Sequence, residues 1–211
     1  MRRLILLRHG QTDYNATRRL QGQLDTTLSD VGVAQARAAA ERAKGLGVIR
    51  IVSSDLVRAR RTAEIVAEAL GLGVSLDARL RETHLGDWQG KTHAEVDSWR
   101  EGIRDYWRNN PGWAPPSGES RLDVARRARP VVDELMDAEE KWDGAAVLLV
   151  AHGGTISALT SNLLDLGEAQ YPLFKGLNNT ATSQLAAVPA SGGEPGSVTW
   201  YLEAWNRELG R

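Results

Sequence analysis

Two of the four histidines stand in matching contexts. His9 lies in Arg8-His9-Gly10-Gln11-Thr12 and His152 in His152-Gly153-Gly154-Thr155. Each comes at the end of a short all-apolar run, residues 4–7 and 146–150, and each is followed by glycine. Such a run reads as a strand buried on both faces. Polar residues at its exit lie where open α/β sheets place their ligands. If the two strands are neighbours, the two imidazoles meet at one end of the sheet. An imidazole titrates near neutrality, so it can serve as nucleophile, acid or base. The plain alternative is a polar residue closing each strand. A metal centre does not fit the pattern, because there is no His-x-His, no His-Glu-x-x-His and no cysteine. No Walker-type phosphate loop occurs either.

Further short elements follow in a fixed order. Arg8-His9-Gly10 continues into Gln11-Thr12 and Asn15, and Leu28-Ser29-Asp30-Val31-Gly32 comes next. Ser53-Ser54-Asp55-Leu56-Val57-Arg58-Ala59 follows with Thr62-Ala63, and then Glu82 with Gly86 and Gly90. Gly118-Glu119-Ser120 and Val150-Ala151-His152-Gly153 complete the set. With these elements the chain resembles the histidine phosphatase superfamily, the phosphoglycerate-mutase-like enzymes, over residues 4–183. Arg-His-Gly alone would be a weak signal, but all the elements in order are specific.

The resemblance implies a phosphohistidine intermediate on His9, with Arg8 and Arg58 clamping the phosphate. A guanidinium offers paired donors to phosphate oxygens. His152 would donate to a transferring oxygen, and Gly153 follows it at a helix start, where an N–H can also approach. Asn15, Gln21 and Gly22 are implied phosphate or substrate contacts, with a plain turn as the alternative for the last two. Glu82 is implied as the general acid for the leaving group, and a neighbouring phosphate dianion favours a protonated carboxyl. The alternative for Glu82 is an ion pair with Arg81, and for Arg58 a solvated helix arginine. His84 is near enough to Glu82 in sequence to touch substrate. His93 is expected to cap or line a surface helix.

Within the superfamily the match resembles small bacterial phosphatases. That implies a small phosphorylated metabolite as substrate, a phosphorylated sugar-glycerate. It implies neither metal nor cofactor, and a homodimer, which is common among relatives. A mutase primed by a bisphosphorylated glycerate, a broad-specificity phosphatase and an inactive phosphate binder are the rival activities.

These residues need a sheet to hold them. Strand-like and helix-like segments alternate, which predicts a three-layer α/β/α sandwich with a mostly parallel central sheet. Strands are expected at 4–7, 48–52, 74–80, 146–150, 185–188 and 198–202, the last two joined by a hairpin loop at 191–197. Ser29 reads as the N-cap of an Ala-rich helix reaching 44. Helices are also expected at 56–70, after His152, and over 119–142 with a kink or break at Pro130. Residues 97–118 differ in character, with Trp99, Tyr106, Trp107 and Trp113 set among Arg100, Arg104 and Arg108. This segment reads either as a surface excursion packed by its own aromatics or as a cover over the site.

The whole reads as one domain over 1–211, with an ordinary balance of 42% hydrophobic and 25% charged residues. A net charge of -1 gives no bulk attraction to nucleic acid or to an anionic membrane. Only four apolar residues separate Arg3 from Arg8, too few for a signal peptide, so the expected location is cytoplasmic. Asn-x-Thr triplets at Asn15 and Asn178 are read as chance matches to a glycosylation acceptor.

Overall fold

The computed structural model describes residues 1–190 and 197–210. In chain order the elements are β1 (Arg2–Arg8), α1 (Asp13–Ala16), α2 (Asp30–Ala43), β2 (Val48–Ser53), α3 (Val57–Leu70) and β3 (Val74–Leu76). Then come α4 (His93–Trp99), α5 (Ile103–Asn109), α6 (Arg121–Ala138), β4 (Ala146–Ala151), α7 (Gly153–Leu163), β5 (Ala181–Pro189) and β6 (Val198–Glu208).

The six strands form one sheet in the order β3-β2-β4-β1-β5-β6. The pairings from β3 through β1 are parallel, and β5 and β6 extend the sheet antiparallel. Successive side chains of a strand point to opposite faces, and the core divides accordingly. Leu4, Leu6, Val147 and Leu149 pack with Val131 and Val132 of α6 and Ile156 and Leu159 of α7. Ile5, Leu7, Leu148 and Val150 pack with Ala36, Ala39 and Ala40 of α2 and Ala59, Ala63 and Val66 of α3. The alanines let α2 and α3 lie close to the sheet. This is the expected three-layer sandwich. Removing a fully buried leucine such as Leu149 from it costs about 2–5 kcal/mol.

The register of the two central strands decides the site. Arg8 pairs with Ala151, and the His9 N–H donates to the Ala151 carbonyl at 3.0 Å. The two histidines therefore leave the sheet side by side.

Some boundaries differ from the sequence reading. The strand expected at 74–80 ends at Leu76, because Asp77 caps a short turn at Ala78–Leu80 by accepting from the Arg79 N–H. No break divides α6 at Pro130. Val124, Ala128, Val131 and Val132 stay buried on both sides of it, which outweighs the one backbone bond lost. The helical stretch also ends earlier, at Ala138, followed by a turn at Glu140–Trp142. The last two strands are longer than expected. Of their expected hairpin loop, residues 191–196 lie outside the described residues.

The loop after β1 approaches α2 backbone to backbone. A Cβ on Gly10 would stand 2.4 Å from the Gly32 carbonyl oxygen, and one on Gly32 would stand 2.0 Å from that of Gln11. Ser29 caps α2 as expected, accepting from the Gly32 N–H, and its own N–H donates to the Gln11 carbonyl. The first turn of α2 thus braces the loop that carries His9.

Candidate active site

His9 and His152 are buried with ring centroids 5.1 Å apart. His9 Nδ1 lies 2.7 Å from the Gly10 carbonyl oxygen, an acceptor only, so Nδ1 carries the proton and Nε2 keeps its lone pair. Burial holds the His9 pKa well below the ordinary value, and the nearby Arg58 and Arg8 add to this. His152 is lowered well below the ordinary value in the same way, by burial first and then by Arg58. Both rings are therefore neutral at pH 7. His152 Nε2 lies 2.9 Å from the Ser54 hydroxyl, whereas its Nδ1 is buried without a partner.

Two arginines frame this pair. Arg8 closes β1 and donates to the Leu177 carbonyl, leaving Nε buried and unpartnered. Arg58, in the first turn of α3, donates to the carbonyls of Leu24 (2.8 Å) and Gly22 (2.7 Å), and its Nε is likewise unpartnered. Burial lowers the Arg58 pKa to about 10, so it remains a cation at neutral pH. Arg58 is 1% exposed, which rules out the solvated-helix reading. Its neighbours Arg60 and Arg61 do fit that reading, paired with Glu64 on the surface. A buried cation and a half-buried one, each with a buried spare donor and no carboxylate bonded to it, form a site for an anion.

Glu82 sits at the start of α7. Its carboxylate accepts from the N–H groups of Thr83 (2.8 Å), Gly154 (3.1 Å) and Thr155 (3.2 Å). The ion pair with Arg81 considered from sequence is absent, because Arg81 pairs with Asp55 at 2.5 Å. Gly154 is glycine for a steric reason: a Cβ there would stand 2.5 Å from Glu82 Oε1.

A cavity of about 360 Å³ opens over these groups, lined by Arg8, His9, Arg58 and Glu82 together with Asn15, Gln21 and Gly22. The Asn15 side-chain oxygen accepts from Thr12 and Asn179, and that of Gln21 accepts from Thr12 and Thr26. Both amide oxygens are thereby engaged, which leaves the NH₂ groups as the donors these two side chains have to offer.

The family model for the histidine phosphatase superfamily (branch 1) matches residues 4–201. The chain belongs to the histidine phosphatase superfamily. Glucosyl-3-phosphoglycerate phosphatase of Mycobacterium tuberculosis (strain ATCC 25618 / H37Rv) is 52% identical over 210 residues, 97% of this chain and 94% of the relative. A solved structure of the mycobacterial glucosyl-3-phosphoglycerate phosphatase in complex with VO3 has a TM-score of 0.93 at 50% identity, covering 99% of this chain and 100% of that one. A probable phosphoglycerate mutase of Erwinia tasmaniensis is 39% identical over 170 residues, 79% of this chain and 76% of the relative.

Among the residues expected from the superfamily resemblance, three are placed differently. His152 is fully buried and is not among the residues lining the cavity, although its ring lies against that of His9. His84 is not among the residues lining the cavity. Its backbone N–H donates to Glu119 at 2.7 Å, a bond that holds the loop behind Glu82. Gly153 lines an adjoining chamber, while Gly154 lines both spaces. His93, assigned from sequence to a surface helix, opens α4 but also lines both spaces. Sequence reading did not find Asn179, Arg127 or Arg121. Asn179 donates to the His9 carbonyl and to Asn15, and Arg127 donates to the Glu82 carbonyl. None of the three belongs to an element of the superfamily resemblance, and only the fold brings them to the site.

Proposed function

We propose that this chain is a phosphomonoesterase that converts glucosyl-3-phosphoglycerate to glucosylglycerate and phosphate through a phosphohistidine on His9. The observation that carries the reading is the buried, neutral His9 with its free Nε2, set between Arg8 and Arg58 beside Glu82. The substrate rests on the 52% identity to the mycobacterial enzyme over nearly the whole chain.

In the first step His9 Nε2 attacks phosphorus and the bond to the leaving oxygen breaks. Glu82 supplies the proton that this oxygen takes up. Arg8 and Arg58 balance the charge on the equatorial oxygens, and the unpartnered Nδ1 of His152 finds its partner there when it carries the proton. In the second step water attacks phosphorus, Glu82 takes its proton, and phosphate leaves as His9 is released. The scheme calls on no metal. Among the described residues no group of three or more His, Asp or Glu side chains converges as a metal would require. The reading includes activity that survives chelation.

Residues 97–118 cover the site in this reading. Trp107 packs edge-on against Trp88 in a small cluster with Leu85, Val96 and Ile103, and it lines the cavity. Trp99 and Tyr106 face outward. The reading also carries a cytoplasmic location and a homodimer. Among the described residues no helix is long and apolar enough to cross a membrane.

The test is a steady-state panel of glucosyl-3-phosphoglycerate, 3-phosphoglycerate, phosphosugars and an aryl phosphate, with and without a bisphosphorylated primer. Highest kcat/KM on the glucosylated substrate, with phosphate release and no primer requirement, supports the proposal. Primer-dependent isomerisation of phosphoglycerate without phosphate release overturns it in favour of a mutase, the activity named for the 39%-identical relative.

A further inference from the structure

A second chamber of about 670 Å³ adjoins the phosphate cavity, and Arg8, Glu82, His93, Trp107 and Gly154 belong to the walls of both. A phosphate ester held at His9 must send its organic part past Glu82, and this chamber lies there. Its lining holds Arg8, Arg108, Arg121 and Lys175 against Glu82 as the one carboxylate. The space is therefore positive even without counting Arg8, which the phosphate uses.

Arg121 is the unusual member. It is the first residue of α6, 7% exposed, and among the described residues no carboxylate pairs with it. The nearby Asp123 is already engaged, accepting from Ser120 and pairing with the exposed Arg126. Arg121 donates instead to the carbonyls of Trp107 and Arg108, and its guanidinium lies 5.6 Å from the Trp107 ring centroid. Its Nε is buried without an acceptor, and so is the Trp107 indole N–H. Burial and Arg108 both lower the Arg121 pKa, as they do for a cation lacking its anion. The other arginines of α6 all have acidic partners, Arg126 with Asp123, Arg127 with Glu119 and Arg129 with Asp133. Buried donors normally find partners, and Nη2 already serves both carbonyls, so the donors left to Arg121 are Nε and Nη1, which suit an anionic oxygen.

We propose that Arg121 is a specificity-determining residue that binds the carboxylate of the substrate's glycerate portion in this second chamber, with the Trp107 N–H as a further donor to the organic part. The inference rests on the substrate reading above only for the presence of a carboxylate beside the phosphate ester. Arg121 also ties down the carbonyls at the end of α5, so a merely structural role must be separated from recognition.

The experiment measures kcat/KM of the wild type, Arg121→Gln and Arg121→Lys on 3-phosphoglycerate, glycerol 3-phosphate and an aryl phosphate. The two aliphatic esters differ at the carboxylate, so their ratio isolates it even if the glucosylated compound proves not to be the substrate. Loss of a charge-assisted pair predicts about a 10- to 100-fold larger fall on 3-phosphoglycerate than on glycerol 3-phosphate for Arg121→Gln. Arg121→Lys should recover part of that ratio. Equal falls on all three substrates would assign Arg121 to structure and overturn the proposal. Should both variants fail to fold, competition in the wild type decides: glycerate should inhibit aryl phosphate hydrolysis far better than glycerol does. Equal potency of the two would overturn it.

Discussion

Arg127 and Glu119 form a two-bond ion pair, Nη2 to Oε1 at 2.6 Å and Nε to Oε2 at 3.0 Å, and the pair grips the loop that carries Glu82. Arg127 also donates to the carbonyls of Arg79 (2.6 Å) and Glu82 (3.0 Å), and Glu119 accepts from the His84 N–H. Both ends of the short stretch before and after Glu82 are thus tied to α6. This gives the Gly118-Glu119-Ser120 element its part in the site. Arg127 is a positioning residue, acting through Glu82. Arg127→Ala should lower kcat about 10- to 100-fold on alkyl phosphates with little change in KM, since a misplaced acid slows the proton transfer. An aryl phosphate should be affected much less. Equal losses on both would show that the pair only supports the fold.

His9→Ala should reduce turnover to background and remove the acid-labile phosphoenzyme, while circular dichroism remains that of the wild type. The small pocket left by the ring faces the cavity, so the core is not opened. Rapid quenching that finds phosphate on another side chain would sink the assignment of the nucleophile.

For Glu82→Gln the expected loss is about 10²–10⁴ in kcat on a poor alkoxide leaving group. Gln has the shape of Glu, but its amide supplies no proton and turns one oxygen acceptor into a donor facing the N–H groups of Gly154 and Thr155. A comparable loss on an activated aryl phosphate would make Glu82 a positioning group instead.

His9 and His152 both titrate well below the ordinary histidine value in the fold, because burial disfavours the charged ring. In the unfolded chain each takes a proton near pH 6.5. Below that pH the unfolded state binds more protons, so stability rises with pH across the window from the folded values up to about 6.5. Acidification from pH 7.5 to 5.5 should therefore lower Tm, by roughly 1 kcal/mol of stability per histidine for each pH unit below 6.5. The double variant His9→Asn, His152→Asn should show a shallower dependence. Identical slopes in variant and wild type would place the acid sensitivity elsewhere.

Gly32→Ala is expected to destabilise the chain by about 1–3 kcal/mol and to lower activity as well, since the added carbon would press on the Gln11 carbonyl beside the His9 loop. Gly73→Ala is the control, with nothing within 4 Å of the new carbon. Thermal melts of both variants compare the two positions. A Gly32→Ala protein as stable as the Gly73→Ala protein would contradict the bracing role.

The sheet and the core of the site were legible because buried strands announce themselves as apolar runs, and because His9 and His152 end two of them. Arg58 was legible through the Ser53-Ser54 element, which also set it apart from Arg60 and Arg61 as the solvated arginines of the helix. Arg121, Arg127 and Asn179 were not legible. Each acts through backbone carbonyls or side chains far away in sequence, and such partners leave no periodicity or spacing to read. The same holds for the end of β3, where one Asp77 side chain competed with the sheet for the backbone.

The pairing of Arg8 with Ala151 and the bond from the His9 N–H to the Ala151 carbonyl also make the site a composite of stretches far apart in the chain. A nascent chain carries His9 from the outset, yet an isolated imidazole in water is a feeble phosphoryl acceptor. The second half of the pocket is synthesised much later, and it stands beside the first half because β4 lies between β2 and β1 in the sheet. A chain that ends before β4 lacks Gly154 and Thr155, and with them two of the N–H groups that hold the Glu82 carboxylate.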